Sequence, residues 1–197
     1  ADLFNFIDIQ KIEFSSKNNF SFNVNESLKF DNFKVESIVD LNQLTINQKN
    51  LKLKPFFPSF VEQIKLKKHK IIIKYNQNKI DIKGTGNILL EDKSDSLSYH
   101  VIKDDIKISF DTKINLKSNS LLIDFLDYEK KEDLNSLLSV KGKLRKNNQL
   151  TLELINLKEM NNKISIKGLD LSKDFRIMDI ENFNINYTNN KGIKNKL

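Results

Sequence analysis

Residues 106–116 read IKISFDTKINL. Ile106, Ile108, Phe110, Thr112, Ile114 and Leu116 hold one phase; Lys107, Ser109, Asp111, Lys113 and Asn115 hold the other. Strict alternation sends successive side chains to opposite faces of an extended strand, so this stretch has one dry face and one wet face. At about 3.3 Å per residue it reaches roughly 36 Å, well beyond the usual strand of five or six residues. What that long apolar stripe faces decides the fold.

The same rhythm runs through the chain. Ile80, Ile82, Gly84, Gly86, Ile88 and Leu90 keep one phase over another eleven residues. Shorter runs are Phe20-Phe22-Val24, Phe33-Val35, Leu44-Ile46, Leu51-Leu53, Ile71-Ile73-Tyr75, Leu97-Tyr99-Val101 and Val140-Gly142-Leu144. Leu150-Leu152-Leu154, Ile164-Ile166 and Ile180 with Phe183, Ile185 and Tyr187 complete the series. Polar turns such as YNQNK, DKSDS, KDD and KNNQ separate them, and strands joined by tight polar turns favour antiparallel meander pairing. The expected fold is mainly β: long antiparallel meander strands in a curled, groove-like sheet, with at most one or two short helices. Residues 1–197 read as a single β-rich segment, a fragment of a longer repeating protein.

Two stretches fit more than one element. Ser59-Phe60-Val61-Glu62 after Pro58 matches a capping box, which would start one or two helical turns over 59–66. Residues 120–129, SLLIDFLDYE, fit a helical face or a strand apolar on both sides. Their strand-like neighbours favour the strand, closed by a turn at EKKED (129–133).

Composition narrows the function classes. The chain has 197 residues, no Cys and no Trp, so thiolate metal sites and disulfides are excluded. The net charge of +7 raises anionic partners, yet the positive charge is nearly all lysine, with arginine only at Arg145 and Arg176. Readers of bases and phosphates lean on arginine forks, so the lysines read as a solvated outer face and no specific nucleic acid is expected. No stretch approaches the ~20 apolar residues needed to cross a bilayer as a helix.

Catalytic signatures are missing too. His69 and His100 lie in separate segments, His69 within the cationic KLKKHK and His100 with a solvent-facing phase. Glu91-Asp92 with Asp95, Asp104-Asp105 and Glu132-Asp133 coincide with turns, where Asp serves backbone hydrogen bonding. Gly84-Thr85-Gly86 lacks the third glycine and helix of a phosphate loop and reads as a bend in a strand. The expectation is a protein that is not an enzyme and uses no cofactor and no metal.

The apolar face remains. Left open, it would exceed the few hundred Å² of contiguous apolar surface that soluble proteins expose. A second sheet, covering helices or an apolar ligand must meet it, and helices are scarce.

Residues 64–92, IKLKKHKIIIKYNQNKIDIKGTGNILLED, and 162–188, NKISIKGLDLSKDFRIMDIENFNINYT, resemble hairpins of AsmA-like envelope proteins, the AsmA, TamB and YhdP group. That resemblance implies a β-groove in the periplasm that conducts phospholipid or another acyl-chain lipid between inner and outer membranes, with an inner-membrane anchor elsewhere in the parent chain. It implies no catalytic residues. The lipid lining would then be Ile80, Ile82, Ile88, Leu90, Ile106, Ile108, Phe110, Ile114 and Leu116. The reading from another class is a structural or adhesive β-sandwich domain with no lipid ligand.

Overall fold

The computed structural model describes residues 8–47, 53–146, 149–174 and 176–197. Leu51, Asn147 and Asn148 of the KNNQ turn, and the first seven residues lie outside the described residues.

Among the described residues thirteen strands are formed: β1 (Asp8–Val24), β2 (Phe30–Asn47), β3 (Gln63–Asn76), β4 (Lys79–Leu89), β5 (Ser94–Lys103), β6 (Lys107–Leu116), β7 (Leu121–Ile123), β8 (Tyr128–Lys130), β9 (Ser136–Arg145), β10 (Leu150–Glu159), β11 (Asn162–Leu171), β12 (Ile177–Thr188) and β13 (Lys194–Lys196). Eleven of them make one antiparallel sheet in the order β1-β2-β3-β4-β5-β6-β9-β10-β11-β12-β13, and β7 and β8 pair as a separate ribbon. The mainly β meander expected from the alternation is the fold observed. Among the described residues its one helical element is a 3₁₀ turn, Asp124–Leu126.

Each of the long neighbours pairs in register. Ile80 faces Lys103, Ile82 faces Val101, Gly84 faces Tyr99 and Gly86 faces Leu97 across β4 and β5. Ile108, Phe110, Thr112 and Ile114 of β6 then face Leu144, Gly142, Val140 and Leu138 of β9. Because the side-chain period is two, this register keeps most apolar residues of the central strands on one face; Leu89, Ile102 and Leu137 take the other phase, beside Ser94, Asp81 and Asn115.

The flanking strands break that phase. In β3 two residues, Lys68 and His69, intervene between the Lys67–Asn87 and Lys70–Thr85 pairs, where β4 supplies one, Gly86. The bulge carries Ile64 and Leu66 at even positions and Ile71, Ile73 and Tyr75 at odd ones onto the same face. A second irregularity between Leu152 and Leu154 acts in β10. It turns Leu154 to the wet face, opposite Lys141 and Lys167, so the run Leu150-Leu152-Leu154 is not one phase. Gly168, with φ of 61°, provides the matching reset in β11, where Leu169 and Ile166 share a face.

The two ambiguous stretches resolve differently from expectation. Ser59 to Glu62 form no helix, and residues 63–66 open β3; Glu62 instead takes a left-handed turn with φ of 57°. Residues 120–129 are neither a helix nor one strand. They form β7, the 3₁₀ turn and the start of β8, with Asp127 at φ of 50° reversing the chain. The reversal thus falls at 124–127 rather than at EKKED, since Glu129 and Lys130 belong to β8.

Candidate functional site

Following the register across the sheet turns the alternation into rows. One row runs Val35, Tyr75, Ile80, Lys103, Ile108, Leu144, Leu150, Leu171 and Ile177. The next runs Ser37, Ile73, Ile82, Val101, Phe110, Gly142, Leu152, Leu169 and Ile180. Further rows through Thr112 and Ile114 carry Val140, Ile155, Ile166 and Phe183, then Leu138, Leu157, Ile164 and Ile185. Each row crosses the strands; the row from Ile73 to Ile180 carries no polar side chain, whereas Lys103 interrupts the row through Ile80 and Ile108.

One end of this face is covered. The connection between β6 and β9 (117–135) and the loop at 53–62 pack over it, placing Phe57, Phe60, Leu121 and Tyr128 in one cluster with Ile88, Leu90, Leu97, Leu116, Leu157, Ile164 and Tyr187. The cover is neither a second large sheet nor a helix, the two polypeptide covers that the alternation suggests.

Polar groups fasten it. The Asp95 carboxylate accepts from the backbone N–H of Lys117, Ser118 and Asn119 and from Asn119 Nδ2 at 2.7–3.2 Å. Lys130, fully buried, donates from Nζ to the carbonyls of Lys117 and Asn119 at 2.9 and 2.6 Å. Burial pulls its ammonium below the ordinary lysine pKa, against the opposing pull of Asp95 and Glu159. Tyr128 donates to the Glu159 carboxylate, and desolvation with that hydrogen bond drives the phenol pKa strongly up. Tyr187 donates to the Leu126 carbonyl at 2.7 Å, and Leu122 N–H to Phe56 O at 2.9 Å joins the two covering segments. These carboxylates serve the cover rather than a cleft.

The nine lining candidates divide along this boundary. Ile88, Leu90 and Leu116 are buried under the cover, Leu116 completely. Ile80, Ile82, Ile108 and Phe110 lie half-buried on the apolar face beyond the cover, and Ile114, also half-buried, packs against the covered cluster. Ile106 stands apart: it sits in the turn before β6, 70% exposed, its N–H bound by Asp104 Oδ1. Apolar exposure extends to the first strand, where Ile12, Phe14, Phe20 and Phe22 are each about half exposed.

Glycines shape the face. A Cβ on Gly84 would lie 2.2 Å from the Tyr99 ring, and one on Gly86 would lie 2.3 Å from the His69 ring. Gly142 is likewise overlain by Phe110, at 2.8 Å. The Gly-Thr-Gly motif therefore makes room for rings lying over the sheet. The β4–β5 register passes through both glycines unbroken, and the bulge belongs to β3. This aromatic-over-glycine pattern was readable only with the register in hand.

His69 is fully buried, with Nε2 2.9 Å from the Asn87 carbonyl, so Nε2 carries the proton it donates. Burial lowers its pKa below the ordinary histidine value; the cause is desolvation rather than the neighbouring lysines. His100 occupies the wet face, as its phase indicates, with Nε2 3.0 Å from Asp81 Oδ1. Among the described residues there is no group of three His, Cys, Asp or Glu placed to hold a metal ion.

No protein family profile, no curated protein and no solved structure matches the chain.

Proposed function

We propose that this chain is a segment of an AsmA-like periplasmic β-groove that binds and conducts phospholipid acyl chains between inner and outer membranes. The observation that carries the reading is the set of apolar rows crossing the strands beyond the covered end. Acyl chains lying along the row through Ile82 and Phe110, flanked by Ile80 and Ile108, would gain about 0.8 kcal/mol for each CH₂ removed from water. Headgroups stay at the wet rim, where Lys103, at the end of β5 between Ile80 and Ile108, offers its ammonium. No chemistry is needed: a dry floor and a polar edge suffice. The cover over Ile88, Leu90 and Leu116, against which Ile114 also packs, limits the lining within this chain to Ile80, Ile82, Ile108 and Phe110. A membrane anchor belongs to another part of the parent chain.

Binding of a fluorescent fatty acid, cis-parinaric acid, tests the reading. Wild-type chain is expected to bind it saturably, and Phe110→Asp and Ile82→Asp to lose that binding by about tenfold or more while keeping a folded β spectrum. Polar substitutions on the opposite face, such as Lys83→Gln, leave it unchanged. Saturable binding that survives both aspartates would remove these rows from the site. The reading from another class, a structural β-domain, is favoured by the sealed cluster around Leu116, and it predicts no binding in any of these proteins.

A further inference from the structure

The wet face carries a feature of its own. Across β3 to β6 it holds a shallow depression of about 370 Å³. Lys70, Thr85, Ser98 and Lys113 stand in one cross-strand row there, the two hydroxyls between the two lysines. Lys83, His100 and Asp111 form the adjoining row. Strands about 4.8 Å apart put the Lys70 and Lys113 backbones about 14 Å from each other, within joint reach of their long flexible stems.

The lysines of the depression, like many on this surface, are not neutralised by a carboxylate. Lys65, Lys74, Lys141 and Lys143 each meet a carboxylate on this protein, whereas Lys70, Lys83 and Lys113 meet none among the described residues. His100 is already engaged by Asp81. Three lysines against the single carboxylate of Asp111 leave the depression with a formal charge of +2, beside two hydroxyl donors.

We propose that this depression binds a phosphate group, presented as a lipid headgroup or as a free phosphate. Thr85 and Ser98 donate to the phosphate oxygens from the floor, Lys70, Lys83 and Lys113 close on it, and Asp111 opposes it. Charge-assisted hydrogen bonds supply the attraction. Since exposed pairs are individually weak, the dissociation constant is expected on the order of 1 mM. The site lies on the face opposite the apolar rows, so it stands or falls independently of the acyl-chain reading.

The test is an amide ¹H–¹⁵N titration of the folded chain at fixed ionic strength. Inorganic phosphate and dihexanoyl phosphatidic acid are the probes, and chloride is the control. Saturable shifts centred on Thr85 and Ser98, absent with chloride, are expected. Lys70→Gln/Lys83→Gln/Lys113→Gln should weaken binding by about tenfold, and Asp111→Asn should tighten it. Tighter binding of the lipid phosphate identifies a headgroup site, and equal binding identifies a free-phosphate site. Shifts that grow linearly and spread over all lysines, or an unchanged affinity in both variants, would overturn the proposal.

Discussion

At the scale of single residues, the face depends on where side chains are missing. Tyr99, His69 and Phe110 lie over Gly84, Gly86 and Gly142, and any Cβ at those glycines meets a ring. Gly84→Ala should destabilise the fold by about 1–3 kcal/mol through overpacking. Tyr99→Leu, which removes the ring, should recover part of that loss, with a coupling of roughly 0.5–3 kcal/mol in a double-mutant cycle by urea denaturation. Additive effects would place the strain elsewhere. His69 makes a second prediction, in pH. Its folded pKa lies below the unfolded value of 6.5 because burial disfavours the imidazolium. Between those two values the unfolded chain binds more protons, so the contribution of neutral His69 is complete above pH 6.5 and is lost as pH falls toward the folded pKa. Urea midpoints should therefore drop from pH 7 to pH 5 in the wild type and drop less in His69→Gln. Asp104, whose backbone hydrogen bonds hold its pKa below 3.8, titrates outside that window.

Among the elements, the connection between β6 and β9 matters most, because it supplies the cover that the sheet otherwise lacks. Leu116 and Ser136 are cross-strand partners, so a two-residue Asn-Gly turn is sterically able to replace residues 118–134 and join β6 directly to β9. That deletion removes Leu121 and Tyr128 from the cluster, at about 1.5–3 kcal/mol for each large buried side chain, or about 3–6 kcal/mol together. A fall in the urea midpoint with new binding of a hydrophobic dye is expected; an unchanged midpoint would show that the cover contributes no stability. The central strands were legible from alternation alone because β4, β5, β6 and β9 run without a phase break among themselves. Leu154 was misread because the irregularity beside it has no marker in TLELINL, and the reset at Gly168 lies on the next strand. The 120–129 reversal was hidden for a similar reason: its left-handed residue is Asp127, not a glycine, inside an apolar run. The capping-box match at 59–62 describes a local option, and the pairing of β3 from Gln63 onward with β2 and β4 overrides it.

On the scale of the whole molecule, a single wide sheet with one dry face needs an apolar counterpart, and among the described residues the polypeptide supplies it at one end only. The long strand 106–116 announced the dry face, while the extent of the cover depended on contacts between segments far apart in the chain, such as Tyr187 with Leu126 and Phe56 with Leu122. Alternation cannot encode such contacts, so Leu116 and Ile108 look equivalent in sequence although one is sealed and the other open. The division is also what makes the lipid proposal specific: it places acyl chains on Ile80, Ile82, Ile108 and Phe110 and keeps them off Ile114 and Leu116. Native mass spectrometry of the chain purified from a phospholipid-containing host tests this central claim most directly. Masses of the folded monomer carrying one or more intact phospholipids, reduced in Phe110→Asp, are the predicted result; a compact monomer free of lipid would contradict it.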